Sequence, residues 1–227
     1  KSAYIVLNKS NASVDLLIRR LQEKEIYNGL FIRSEDALNR INKDTLQVVV
    51  DTHRPSFTEE PELISQAERV VVFDHHRRSA EAIENATLSY LEPYASSASE
   101  LITEIVQYFD DKIRIEPLEA DALLAGITVD TKNFIFKTGV RTYEAASYLR
   151  RAGADPTSVR QLFQDDMETF INRSEIIKKA KMIRPGIAIS ECPPNIPNAQ
   201  LIAAQAADSL LNIKGITASV VLCSTPE

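Results

Sequence analysis

Apolar and polar positions change period along the first ~150 residues. Short runs rich in β-branched residues (3–7, 27–32, 46–50 and 69–73) are separated by segments whose apolar residues recur three and four apart. The runs predict strands, and the intervening segments 15–24, 34–41 and 61–68 predict helices. Val48-Val49-Val50 and Val70-Val71-Val72-Phe73 are continuously apolar, as expected of buried parallel strands. This βαβα rhythm predicts an α/β fold, a parallel sheet with helices on both faces.

Further helices come next. Ser97 and Glu100 form a capping-box pattern ahead of a helix over 101–109. Pro117 occupies a favoured first helical position for a helix running to 129. A helix over 142–152 is stopped by Gly153, and a longer amphipathic one covers 167–182. Pro185-Gly186 then breaks the chain. Beyond it come a short strand at 187–189, a proline-rich loop at 192–197, an alanine-rich helix at 199–211 and an alternating strand at 217–222. The pattern divides the chain into a first domain over 1–154, a helical connector over 155–185 and a partial second α/β domain over 186–227. About 40 residues are too few for an independent core. The chain does not begin with Met and stops just after a strand-like run, so it reads as a piece of a longer protein.

Composition narrows the partners. The chain has 227 residues, 44% hydrophobic and 26% charged, which is ordinary for a soluble globular protein. No apolar run approaches the ~20 residues needed to span a bilayer. A net charge of −6 argues against passive attraction to long nucleic acid or an anionic membrane. Cys192 and Cys223 lie far apart in sequence with no metal-type spacing, and read as reduced thiols.

The chemistry collects at two strand ends. One strand runs into Asp51-Thr52-His53, the other into Asp74-His75-His76, and these hold all three histidines of the chain. In open parallel sheets functional groups gather beyond the carboxyl ends of the strands, so both clusters should emerge on one edge. Asp130, at the end of an apolar helical segment, is a third acidic candidate, because a carboxylate there is costly unless paired or bound to a cation. Carboxylate and imidazole without thiolate suit manganese, iron, zinc or cobalt. Asp51, His75 and Asp130 can serve one ion well, whereas a second would lack most of its ligands. Arg77 and Arg78 come directly after the histidines and suit phosphate oxygens. Ser96 and Ser97, at a helix start, are candidates for receiving an anion.

These motifs resemble those of the DHH phosphoesterases: Asp74-His75-His76 after an apolar strand, Val50-Asp51-Thr52 before it, and Gly126-Ile127-Thr128-Val129-Asp130-Thr131 after it. The runs from Asp51 to Ser56, from Asp74 to Arg78 and from Glu92 to Ser97 are similar to those of the bacterial membrane-bound cyclic-di-AMP phosphodiesterases. The run from Ala203 to Asp208 looks like their DHH-associated domain. The resemblance implies a dimanganese hydrolase that opens a cyclic dinucleotide to the linear 5′-phosphorylated form. In it Asp51 bridges two ions, His75 and Asp130 complete one, and Asp74 supports the site. His76 and Arg77 contact phosphate.

Two family motifs have no counterpart here: the first histidine-aspartate motif, expected upstream, and a glycine-rich motif, expected downstream. The expectation is therefore a weakly active or inactive soluble fragment with at most one well-formed manganese site. Its parent would sit at the cytoplasmic face of the bacterial membrane. An apolar surface left open by a missing strand predicts self-association, such as a homodimer. The competing readings are a phosphoesterase for linear dinucleotides or short oligonucleotides, a pyrophosphatase, and a non-catalytic nucleotide-binding module.

Overall fold

The computed structural model describes residues 3–224 apart from 11, 111 and 195. The chain forms two compact units, one ending at Phe163 and the other starting at Gln164. Of the expected connector, the helix Pro156–Leu162 belongs to the first unit, while the stretch from Gln164 onward belongs to the second.

In the first unit β1 (Ile5–Val6) leads into α1 (Ala12–Gln22), then β2 (Phe31–Ile32) and α2 (Ser34–Arg40). Next come β3 (Leu46–Val50), α3 (Pro61–Gln66), β4 (Arg69–Asp74) and β5 (Leu88–Leu91). Helices α4 (Ala98–Phe109), α5 (Pro117–Asp130), α6 (Val140–Arg151) and α7 (Pro156–Leu162) complete it. Every strand pairing in this unit is parallel: β1 with β2, and β3-β4-β5 in a second sheet. This is the α/β architecture read from the sequence, parallel strands flanked by helices.

Asn8 ties the two sheets together. Its side chain bonds Ser34 beyond β2 and the Glu59 carbonyl in the loop after β3. One face of β3-β4-β5 packs Val49, Val70 and Val72 against Ile64, Ala67 and Ile83. A second core lies between α5, α6 and α7, around Ile127 and Leu149. Helix α5 approaches α4 so closely at Gly126 that a Cβ there would fall 2.1 Å from Ser99 Oγ.

The other face of the sheet departs from expectation. Leu46, Val48 and Val50 of β3 are 54%, 46% and 51% exposed, and Leu88 and Tyr90 of β5 are exposed beside them. Register places these side chains on one face with Val71 and Phe73. The strand expected to be buried on both faces is thus buried on one, and among the described residues no element covers the rest.

In the second unit α8 (Met167–Lys179) precedes β6 (Lys181–Arg184), β7 (Ile187–Glu191), α9 (Ala199–Leu211) and β8 (Ala218–Leu222). The helix expected to reach 182 stops at Lys179, because residues 181–184 pair antiparallel with β7 across the Pro185-Gly186 turn. Gly186 has φ +82°, a conformation that favours glycine. β7 and β8 are parallel, and the core is Ile176, Ile202 and Ala206. No helix among the described residues is long and apolar enough to cross a membrane.

Candidate metal centre

β3 and β4 run parallel and in register, so their carboxyl ends finish side by side. The Asp51 amide donates to the Phe73 carbonyl at 2.9 Å, carrying the pairing one residue past β3. Asp51 then turns into the left-handed region at φ +64°, which Asp tolerates better than most residues. Such strain is kept where the surroundings hold it, typically at a functional site. The turned carboxylate sits 3.2 Å from His75 Nε2.

Asp130 reaches the same nitrogen from the end of α5, its Oδ2 3.7 Å away. Thr131, fully buried, fixes this end: its hydroxyl donates to the Ile127 carbonyl at 2.6 Å and accepts from the Phe134 amide. Lys132, Asn133 and Phe134 then adopt left-handed conformations, reversing the chain behind Asp130.

The backbone of Ala95 also bears on the ring of His75. Its hydrogen bond to Asp51 raises the imidazole above its ordinary value, outweighing a burial that pulls it down. Burial, then the Asp51 charge, pushes the Asp130 carboxyl above the usual range. A carboxylate at a helix C-terminus also meets the negative end of the helix dipole. Both shifts favour a proton, or a cation in its place, on the cluster.

Asp74, at the end of β4, is fully buried and does not face this cluster. Its Oδ2 lies 2.5 Å from His53 Nδ1, and its Oδ1 lies 2.7 Å from His76 Nδ1. The Ser79 amide donates to His53 Nε2, so Nδ1 carries the hydrogen that His53 gives to Asp74. Burial alone would push the Asp74 carboxyl up. The bonds from His53 and His76 outweigh it and hold it below the usual carboxylate range.

With Nδ1 of His76 engaged, its Nε2 stays free, on a side chain that is more than half exposed. Asp51, His75 and His76 each offer one ligand atom, all within 4.8 Å of one another. The sequence reading gave His76 a phosphate contact; the structure groups it with Asp51 and His75. His76 has its second nitrogen fixed on Asp74, the arrangement that orients an imidazole toward a metal. Two imidazoles and two carboxylates without thiolate fit a hard or borderline divalent cation.

The remaining candidates fall into two groups. Arg77 and Arg78 come after His76 on an exposed loop and make no ion pair among the described residues. Ser96 and Ser97 are only 1% exposed. Ser96 Oγ binds Glu100 Oε2, and Ser97 Oγ accepts from the Glu100 amide as the cap of α4. Their hydroxyls are spent inside the fold, so these serines shape the loop rather than offer an open anion site.

Three participants escaped the sequence reading. His53, although in the right cluster, serves Asp74. The Ala95 backbone acts on His75. Arg141 of α6 grips Glu104 through two bonds of 2.7 and 2.6 Å and lies 3.7 Å from Glu92, whose other oxygen accepts from the Tyr94 amide. It thus steadies the loop that carries Ala95. No local sequence signal marks a backbone contact or an arginine this far along the chain.

Comparison with known proteins identifies the family. Residues 2–127 match the model of the DHH family, N-terminal domain. The chain is 43% identical over 224 residues to the cyclic-di-AMP phosphodiesterase GdpP of Geobacillus thermodenitrificans, covering 98% of this chain and 34% of that protein. It is 43% identical over 230 residues to the cyclic-di-AMP phosphodiesterase PdeA of Listeria monocytogenes, covering 100% of this chain and 35% of that one. The chain spans about a third of the length of the curated relatives it matches. Among solved structures, an exopolyphosphatase-related protein from Bacteroides fragilis superposes with a TM-score of 0.70 at 15% identity, covering 86% of this chain and 61% of its own. That likeness is one of fold.

Proposed function

The chain belongs to the DHH family, and from that premise we propose that it carries the metal centre of a cyclic-di-AMP phosphodiesterase. The product would be the linear 5′-phosphorylated dinucleotide. The observation that carries this reading is the convergence of Asp51, His75 and His76, with Asp130 3.7 Å from His75 and His76 held from behind by Asp74. The names of the relatives support the choice of substrate.

Asp51, His75 and Asp130 would hold a divalent cation, manganese in this proposal, with His76 Nε2 completing the set. A bound cation of this kind supplies Lewis-acid polarisation of a phosphoryl oxygen and a water of lowered pKa. Asp74 keeps the hydrogen of His76 on Nδ1 and so keeps Nε2 available. Arg77 and Arg78, exposed and unpaired among the described residues, would engage the free phosphate oxygens. His76, at the edge of the group, stands nearest to them in sequence. Four side chains suffice for one ion and not for two, so turnover by this chain alone should be weak. A membrane-anchored parent with this site on the cytoplasmic face, and self-association through the open face of β3-β4-β5, belong to the same proposal.

The test measures manganese binding, then product formation from cyclic di-AMP, linear dinucleotide and pyrophosphate, in the chain and in a longer form of the protein. Manganese binding lost in Asp51→Asn, with the cyclic substrate turned over fastest, supports the reading. Faster cleavage of the linear dinucleotide or of pyrophosphate replaces the substrate. Binding of cyclic di-AMP by the longer form without any cleavage replaces the enzyme with a nucleotide sensor.

A further inference from the structure

The cysteines, remote in sequence, meet in the second unit. β7 and β8 pair in parallel from Ile187 with Ala218 to Glu191 with Leu222. One more step of the same register sets Cys192 opposite Cys223. The ladder does continue, since the Cys192 amide donates to the Leu222 carbonyl at 2.8 Å. Residues paired in register point their side chains to the same face. Burial and then Cys223 accordingly push the Cys192 thiol up. Its other polar contact is long, 4.0 Å from Sγ to the Ala199 carbonyl at the start of α9. Both thiols are free and partly exposed, so a small oxidant can reach them.

We propose that Cys192 and Cys223 form a reversible dithiol–disulfide pair that clips the ends of β7 and β8. This goes beyond the phosphodiesterase reading and does not depend on it. The oxidant is a peroxide or a small-molecule disulfide. With hydrogen peroxide, one thiolate of the pair attacks one peroxide oxygen, the O–O bond breaks, and a sulfenic acid and one water result once a proton is taken up. The other sulfur then attacks the sulfenic sulfur, the S–O bond breaks, and the second water leaves with that thiol's proton. Two thiols and one peroxide give one disulfide and two waters.

Strands stand about 4.7–4.9 Å apart, slightly more than the usual Cβ separation of a disulfide, about 3.5–4.5 Å. The strand ends must therefore draw together, and the bond should be readily reduced. Closing it would tie off a loop containing the whole of α9.

The test treats the reduced chain with hydrogen peroxide and, separately, with oxidised glutathione. Expected is joint loss of both free thiols, a mass decrease of about 2 Da, and a tryptic link between peptides 182–214 and 215–227, all reversed by dithiothreitol. In Cys192→Ser or Cys223→Ser, oxidised glutathione should instead leave a stable mixed disulfide on the remaining cysteine. Thiols that oxidise one at a time without linking, or that link only between two chains, overturn the proposal.

Discussion

His75 Nε2 stands 3.2 Å from Asp51 Oδ1, and this contact makes a proton and a cation compete for one nitrogen. The hydrogen bond to Asp51 raises His75 in the folded chain, so the pair stabilises the metal-free fold fully below the unfolded value of about 6.5. That contribution disappears as pH rises through the folded value. Cation binding needs the unprotonated ring and should strengthen with pH over the same window. Manganese titration calorimetry in buffers of different protonation enthalpy should find proton release at about pH 6.5 that fades as pH rises. Release that stays unchanged would remove His75 from the ligand set.

Asp74 should matter without touching the cation. Asp74→Asn keeps the size but replaces one acceptor oxygen with a donor, which must face a ring N–H of His53 or His76. The expected result is a 10–100-fold fall in manganese affinity. A loss of about 1–3 kcal/mol in stability should accompany it, since a buried donor is left unpaired. Chemical unfolding and metal titration of the same preparation check both.

Asp130→Asn should separate stability from binding. The carboxylate suffers burial, the Asp51 charge and the end of α5, so neutralising it should stabilise the metal-free chain by about 0.5–1 kcal/mol. Manganese affinity should fall at least about tenfold, as a charged ligand is lost. Urea unfolding with and without manganese reads the two effects with opposite signs. A variant that is both less stable and unchanged in affinity would place Asp130 outside the site.

Arg141 should act through the loop it holds. Arg141→Gln loses the paired bond to Glu104 and the reach to Glu92, freeing the loop of Ala95, whose backbone acts on His75. The pair is partly exposed, so the stability cost should be no more than about 1 kcal/mol. Manganese affinity should drop several-fold, and Arg141→Lys should recover only part of it, because an ammonium cannot grip two oxygens in a plane. The His75 imidazole nitrogen signals in NMR should shift in Arg141→Gln, which a purely global loss of stability would not produce.

Much of this was legible in the chain. β3 and β4 announce themselves through unbroken β-branched runs, and each ends in an aspartate, so Asp51 and His75 could be brought together on topology alone. Asp130 was legible from the cost of a carboxylate ending an apolar helix. What escaped depends on contacts that sequence does not encode locally. β5 is four residues long, and β6 continues the polar-apolar pattern of α8 until the Pro185-Gly186 hairpin pairs it with β7. Ser96 and Ser97 have the composition of an anion site, yet tertiary packing turns them inward onto Glu100. The two cysteines are neighbours only because β7 and β8 are parallel and in register.

The open face of β3-β4-β5 bears on how all these stabilities are read. An environment-sensitive dye reports unfolding because a native protein normally offers it little apolar surface. Here Leu46, Val48, Val50, Leu88 and Tyr90 offer such a surface in the folded state. Dye fluorescence should start high and change little on melting, and a substitution that alters self-association would pass for one that alters folding. Backbone circular dichroism, blind to that surface, is the signal by which the variants should be ranked.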